Sequence, residues 1–248
     1  MKSNSFSNNS LRILLISIVV VVCFPLPAFA QQRRIPKGGR LAIVVDERLS
    51  ALRAAPNLSA RLVERLSRGR FVAILATTHD RNGVTFYRVK ATRRKRGWIQ
   101  SDAVVSASQV ADDQRLLRLI RDSKEFELVA RARIFLDAFH LSPMRPTVLL
   151  LYGDAAEGVS EKLSSEAARR LGEEKIAANG APQFTYFMNF NGLDRYNRQG
   201  VKFVFDRSAK RFHYNGAAWR ELVQRFPGSP EAAEARQRLD SLSAFLKN

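Results

Sequence analysis

Val84-Thr85-Phe86-Tyr87-Arg88-Val89, then Arg93-Arg94-Lys95-Arg96, then Gly97-Trp98-Ile99, decide the fold of the front of this 248-residue chain. The first run alternates in the manner of a half-buried strand. The four basic residues cannot enter a core and read as a turn, and Gly97-Trp98-Ile99 opens a short last strand. Working outward, Asp80-Arg81-Asn82-Gly83 is a second turn. Phe71-Val72-Ala73-Ile74-Leu75, launched by Gly69, and Leu41-Ala42-Ile43-Val44-Val45 are apolar runs rich in β-branched residues. Short strands at this spacing predict a small β-barrel over residues 41–105.

Four landmarks recur in order: Ser50-Ala51-Leu52-Arg53-Ala54-Ala55-Pro56, Leu66-Ser67-Arg68-Gly69, Phe86-Tyr87-Arg88-Val89 and Gly97-Trp98-Ile99. Together they resemble the bacterial SH3 family, whose pattern runs roughly L-N-V-R-S-G-P, L-K-K-G, W-Y-K-V and G-W-V. The resemblance implies a domain that binds rather than catalyses. It carries Leu52, Arg53 and Pro56 onto the family's first loop, Phe86 and Tyr87 onto its aromatic strand, and Gly97, Trp98 and Ile99 onto its closing strand. Ala55 and Ala51 replace the family's loop glycine and asparagine, which puts any backbone contact at those points in doubt.

Ahead of this domain, Lys2 and Arg12 are the charged side chains before Ile13–Phe24, a run that is apolar but for Ser17. Pro25 and Pro27 break the run, and Ala28-Phe29-Ala30 has small residues where a signal peptidase reads. At about twelve residues it is short of the roughly twenty that a membrane span needs. Residues 1–30 are therefore expected to be a signal peptide cleaved before Gln31, with export to the periplasm or beyond. No transmembrane segment is expected after cleavage. Cys23 follows Val21-Val22, which are not the small residues that lipoprotein processing requires. It is the chain's one cysteine, so the mature protein can form neither a disulfide nor a thiolate metal site.

The chain carries a formal net charge of +18. Residues 31–110 hold 17 basic and 5 acidic groups, against 22 and 18 over residues 111–248. The basicity thus belongs to the β-domain. Behind a signal peptide it suits cell-envelope polymers, anionic lipid headgroups or acidic proteins, or serves solubility alone.

Residues 31–40 read as a flexible lead-in and 106–113 as a linker that becomes a helix N-terminus at Asp112 and Asp113. Residues 114–248 are predicted to be mainly helical. Phe139, Ser142 and Pro143 match Phe226, Ser229 and Pro230, each set followed by a helix-forming run: Thr147–Ala156 and Glu231–Leu246. The second set, with Trp219 before it and Glu231-Ala232-Ala233-Glu234 after it, resembles the tetratricopeptide-like helix pairs of envelope-assembly proteins. Between the sets, Val201-Lys202-Phe203-Val204-Phe205 and Arg211-Phe212-His213-Tyr214 alternate around a turn, which predicts a β-hairpin near residues 201–214. The fold class is α+β: an SH3-like barrel, then a tetratricopeptide-like helical domain with an inserted hairpin.

Chemistry for catalysis is absent. His79, His140 and His213 lie in separate segments without zinc-ligand spacing. No Ser-x-x-Lys or Gly-x-Ser-x-Gly occurs. No catalytic residue, metal or cofactor is assigned. Candidate ligand contacts are Arg53, Phe86, Tyr87, Arg93, Arg94, Lys95, Arg96 and Trp98. Trp98 either plugs the barrel or meets ligand. Phe86 and Tyr87 face opposite sides by alternation, so one is buried and one available. The basic turn is either a solvated tip or an anion-contacting loop. Trp219, Leu222, Val223 and Phe226 form a helical stripe that suits a core first and a groove second. The expectation is an exported, non-enzymatic adaptor. Its barrel would bind peptidoglycan, a peptide or an anionic envelope surface, and its helices would bind a protein. Alternatives are a non-catalytic targeting subunit of a cell-wall hydrolase, or an anionic-polymer binder.

Overall fold

β1 (Arg40–Val44) owes its place to being apolar on both faces. Ala42 and Val44 point into one buried cluster, while Ile43 points into another made with the helices, as does Val45 just past the strand. The computed structural model describes residues 38–172 and 180–246. The expected signal peptide and most of the lead-in lie outside the described residues.

The remaining strands of the front half are β2 (Ala51–Arg53), β3 (Leu62–Arg65), β4 (Phe71–His79), β5 (Thr85–Lys90), β6 (Arg96–Gln100) and β7 (Val104–Val105). They form an antiparallel sheet in the order β3-β2-β6-β5-β4-β1-β7. The ladder ends at β3 and β7, and no closed barrel forms among the described residues. Leu52 of β2, Val44 of β1 and Val104 of β7 nevertheless share one cluster, so the sheet curls around it. The first landmark is half strand: Ala51, Leu52 and Arg53 pair with β3, and Arg53 also pairs with Trp98 of β6. Gly97 permits that crossing. A Cβ there would stand 2.7 Å from the Arg53 carbonyl oxygen and 2.8 Å from the Leu52 side chain.

The helical part begins inside the predicted linker. Asp112 opens α1 (Asp112–Arg121) and accepts the Ser106 N–H at 2.8 Å. α2 (Glu125–Ala138) and α3 (Arg145–Arg170) make one antiparallel hairpin. α3 is much longer than the run from Thr147 to Ala156, and Pro146 sits in its first turn, where a missing N–H costs nothing. Two short helices follow, α4 (Gln183–Met188) and α5 (Asp194–Asn197), then the hairpin β8 (Phe203–Asp206) and β9 (Arg211–Tyr214). α6 (Ala217–Arg225) and α7 (Pro230–Leu246) form the second helix pair, and both pack on α3. Ser229 caps α7 by accepting the Ala232 N–H at 3.2 Å.

Sequence patterns explain how these pieces dock. Gly153 of α3 leaves room for the indole of Trp219, which a Cβ would strike. Asp154 then accepts the Trp219 N–H at 3.2 Å. Ser164 accepts the Phe212 N–H at 2.7 Å and Glu157 accepts that of Tyr214 at 2.6 Å, so α3 satisfies backbone donors of β9. Tyr196 is buried edge-on to Phe126 and Phe203.

One buried charge joins the two halves. Arg131 of α2, 4 % exposed, donates to the Val45 carbonyl at 3.2 Å and to the Ser123 hydroxyl, and lies 3.8 Å from Asp46. Arg48 grips both carboxylate oxygens of Asp46, at 3.0 and 2.6 Å. Those hydrogen bonds hold Asp46 below its ordinary value of 3.8, against the upward push of burial. The described residues fall in one compact unit, consistent with this join.

A depressed folded value means the carboxylate stabilises the fold fully above pH 3.8 and loses that contribution as pH falls through the lower folded value. Asp46→Asn should therefore be less stable than the parent at neutral pH. Urea unfolding at a series of pH values should show the gap closing below the ordinary aspartate range. A gap that stays constant into strong acid would contradict the assignment.

Candidate functional site

Register places Arg88 of β5 opposite Trp98 of β6, and Trp98 opposite Arg53 of β2. Leu62 of β3 continues the row opposite Arg53. Paired residues of an antiparallel ladder face the same side, so these four line one face of the sheet. The neighbouring row on that face pairs Lys90 with Arg96. The opposite face carries Val89 and Ile99, both in the inner cluster.

Trp98 is half-buried on this face, not sunk in the inner cluster. Arg88 and Arg96 are exposed and Arg53 is half-buried. Arg53 donates one N–H to the Ala60 carbonyl at 2.8 Å, which braces the loop between β2 and β3 and orients the guanidinium. At the end of the face, the basic turn is held by Thr92. Its hydroxyl oxygen accepts the N–H of Arg94 at 3.3 Å and of Lys95 at 3.1 Å. Among the described residues, Lys95 is the one member of the turn with a carboxylate partner, Glu64 at 2.9 Å. Arg93, Arg94 and Arg96 stand in solvent without one.

The sequence candidates thus divide. Arg53, Trp98 and Arg96 share a face, with Arg93, Arg94 and Lys95 at its rim. Tyr87 points the other way, packs on the inner cluster and lies beneath Arg40, whose guanidinium carbon is 5.5 Å from the ring centroid. Phe86 alternates toward the basic face but is fully buried and offers nothing to a ligand. Arg88 was not among the candidates. The signal for it was the turn itself, since pairing Lys90 with Arg96 puts Arg88 opposite Trp98.

The other singled-out groups have structural roles. His79 meets the Thr85 hydroxyl at 3.0 Å beside the hairpin turn. Trp219 and Leu222 are core, with Val223 and Phe226 packed beside them. No group of metal-ligating side chains gathers among the described residues. No helix among them is long and apolar enough to cross a membrane. Comparison of the chain with protein-family models, curated proteins and solved structures finds no match.

The chain has two tryptophans, one on each side of this division. Trp98 should be reached by acrylamide and Trp219, at 2 % exposure, should not. Stern–Volmer quenching of Trp219→Phe, which keeps Trp98, should be steep, and that of Trp98→Phe shallow. Equal slopes would remove Trp98 from the surface.

Proposed function

We propose that this protein is an exported, non-enzymatic adaptor. Its curled sheet, of the bacterial SH3 type, engages a cell-envelope component such as peptidoglycan, a peptide or an anionic surface. Its two helix hairpins, of the tetratricopeptide type, hold a protein partner. The landmark motifs support the first assignment, and the paired Phe-x-x-Ser-Pro turns support the second.

The observation that carries the reading is the row Arg88–Trp98–Arg53, with Arg96 and the basic turn at its margin. Exposed cations raise association rates with an anionic partner and are screened over about 8–10 Å at physiological salt. A half-buried indole among them supplies the apolar contact that charge alone lacks.

Co-sedimentation with purified sacculi and with whole envelope fractions tests the proposal. The parent should pellet with the envelope and release as salt rises. A variant with Arg93, Arg94, Lys95 and Arg96 all changed to Gln should pellet less and show a flatter salt dependence, with its thermal midpoint unchanged. A protein that stays in the supernatant of both preparations at low salt would sink the adaptor reading.

A further inference from the structure

The row across β5, β6 and β2 has a chemical asymmetry that narrows its ligand. It contains one indole between two guanidinium groups on adjacent strands. Elsewhere the protein stacks arginine on its aromatic rings, as with Arg40 on Tyr87 and Arg195 on Phe126. Among the described residues no guanidinium stacks on Trp98, and its half-buried ring keeps part of its surface exposed. Arg53 spends one of its five N–H donors on Ala60, which fixes it in place and leaves donors for a ligand.

Neighbouring strands lie about 4.7–4.9 Å apart, so Arg53 and Arg88 are separated by about two such spacings with Trp98 between them. A ring lying on the indole would present substituents on either side to a guanidinium fork. Such forks match carboxylate and phosphate oxygens. The row also limits what the ring can be. Single-stranded nucleic acid is held by several aromatic platforms on which successive bases stack. Here Phe86 is fully buried and Tyr87 packs on the inner cluster, which leaves one platform. An acidic peptide would satisfy the arginines but has no demand for an open indole. A sugar does, because its C–H face is apolar while its rim is polar.

We propose that the Arg88–Trp98–Arg53 row binds an anionic polysaccharide, with one sugar ring on Trp98 and its flanking acid groups on Arg53 and Arg88. This rests on the adaptor reading and specifies the ligand of its sheet. Lys90–Arg96 and the basic turn extend the positive field along the same face and guide the polymer onto the row.

Calorimetric titration of the whole protein with a hyaluronan octasaccharide, which bears a carboxylate on every second sugar, tests the assignment. Short poly-glutamate of equal charge and a thymidine octanucleotide serve as rival probes. The octasaccharide should bind most tightly and should protect Trp98 emission from acrylamide. Trp98→Ala should weaken it about tenfold and Trp98→Phe should recover part of the loss, the size of one aromatic contact. Arg53→Gln and Arg88→Gln should each flatten the salt dependence. Thermal midpoints report whether a variant still folds, and Trp98→Phe keeps the test alive if Trp98→Ala does not. Equal binding of poly-glutamate, with Trp98→Ala unaffected, would reduce the face to bulk charge. Tightest binding of the octanucleotide would make it a nucleic-acid platform. Either result overturns the proposal. Sedimentation with sacculi but no response to the octasaccharide would overturn it too and leave the adaptor reading standing.

Discussion

Arg131 holds the architecture together. A guanidinium removed from water is costly unless its N–H groups are matched, and the cost of an unmatched one is several kcal/mol. Here the matching groups come from both halves of the chain: the Val45 carbonyl and Asp46 from the sheet, Ser123 and Glu127 from the helices. Separating sheet from helices would strand the charge. Burial, followed by repulsion from Arg68, lowers its proton affinity, and the two carboxylates answer that strain. Around this contact the side chains of Ile43, Val45 and Val105 point into the helical core, so apolar burial and charge matching favour the same docked arrangement.

That constraint bears on function through what it leaves uncovered. The helices occupy the side of the sheet near β1 and β7. β5, β6, β2 and β3 present Arg88, Trp98, Arg53 and Leu62 beyond that junction. The adaptor proposal depends on this division. One end of the sheet is committed to holding the helices, and the other carries a basic face with an available indole.

Much of the sheet was legible because strands β1, β4, β5 and β6 advertise themselves by β-branched runs and by turns at Asp80–Gly83 and Arg93–Arg96. β2 and β3 were not. Ser50–Pro56 carries the turn residues of a loop, and only its pairing with β3 and β6 reveals that Ala51–Arg53 is a strand. The open ladder was equally hidden, since strand spacing says nothing about closure. In the helical part, the Ser-Pro turns and the 201–214 hairpin could be read, whereas Tyr196 could not. Its burial depends on Phe126 and Phe203, distant in sequence. Arg131 was invisible for a related reason. Ala130-Arg131-Ala132-Arg133 looks like an ordinary helix with two surface arginines, and nothing local distinguishes the buried one. Of the site, Trp98 and the basic turn were found from motif and charge. Arg88 needed the register.

The central claim is that sheet and helices form one cooperative unit held at Arg131. The two tryptophans allow a direct measurement, because Trp98 reports on the sheet and Trp219 on the helices. Urea unfolding of Trp219→Phe and Trp98→Phe, each followed by its remaining tryptophan and by far-ultraviolet circular dichroism, reads the two halves separately. The account predicts coincident tryptophan and dichroism midpoints within each variant, and a joint fall of both signals when Arg131→Met is added to either background. A sheet transition separated from the helical one, or an Arg131→Met that moves one signal and not the other, would contradict it.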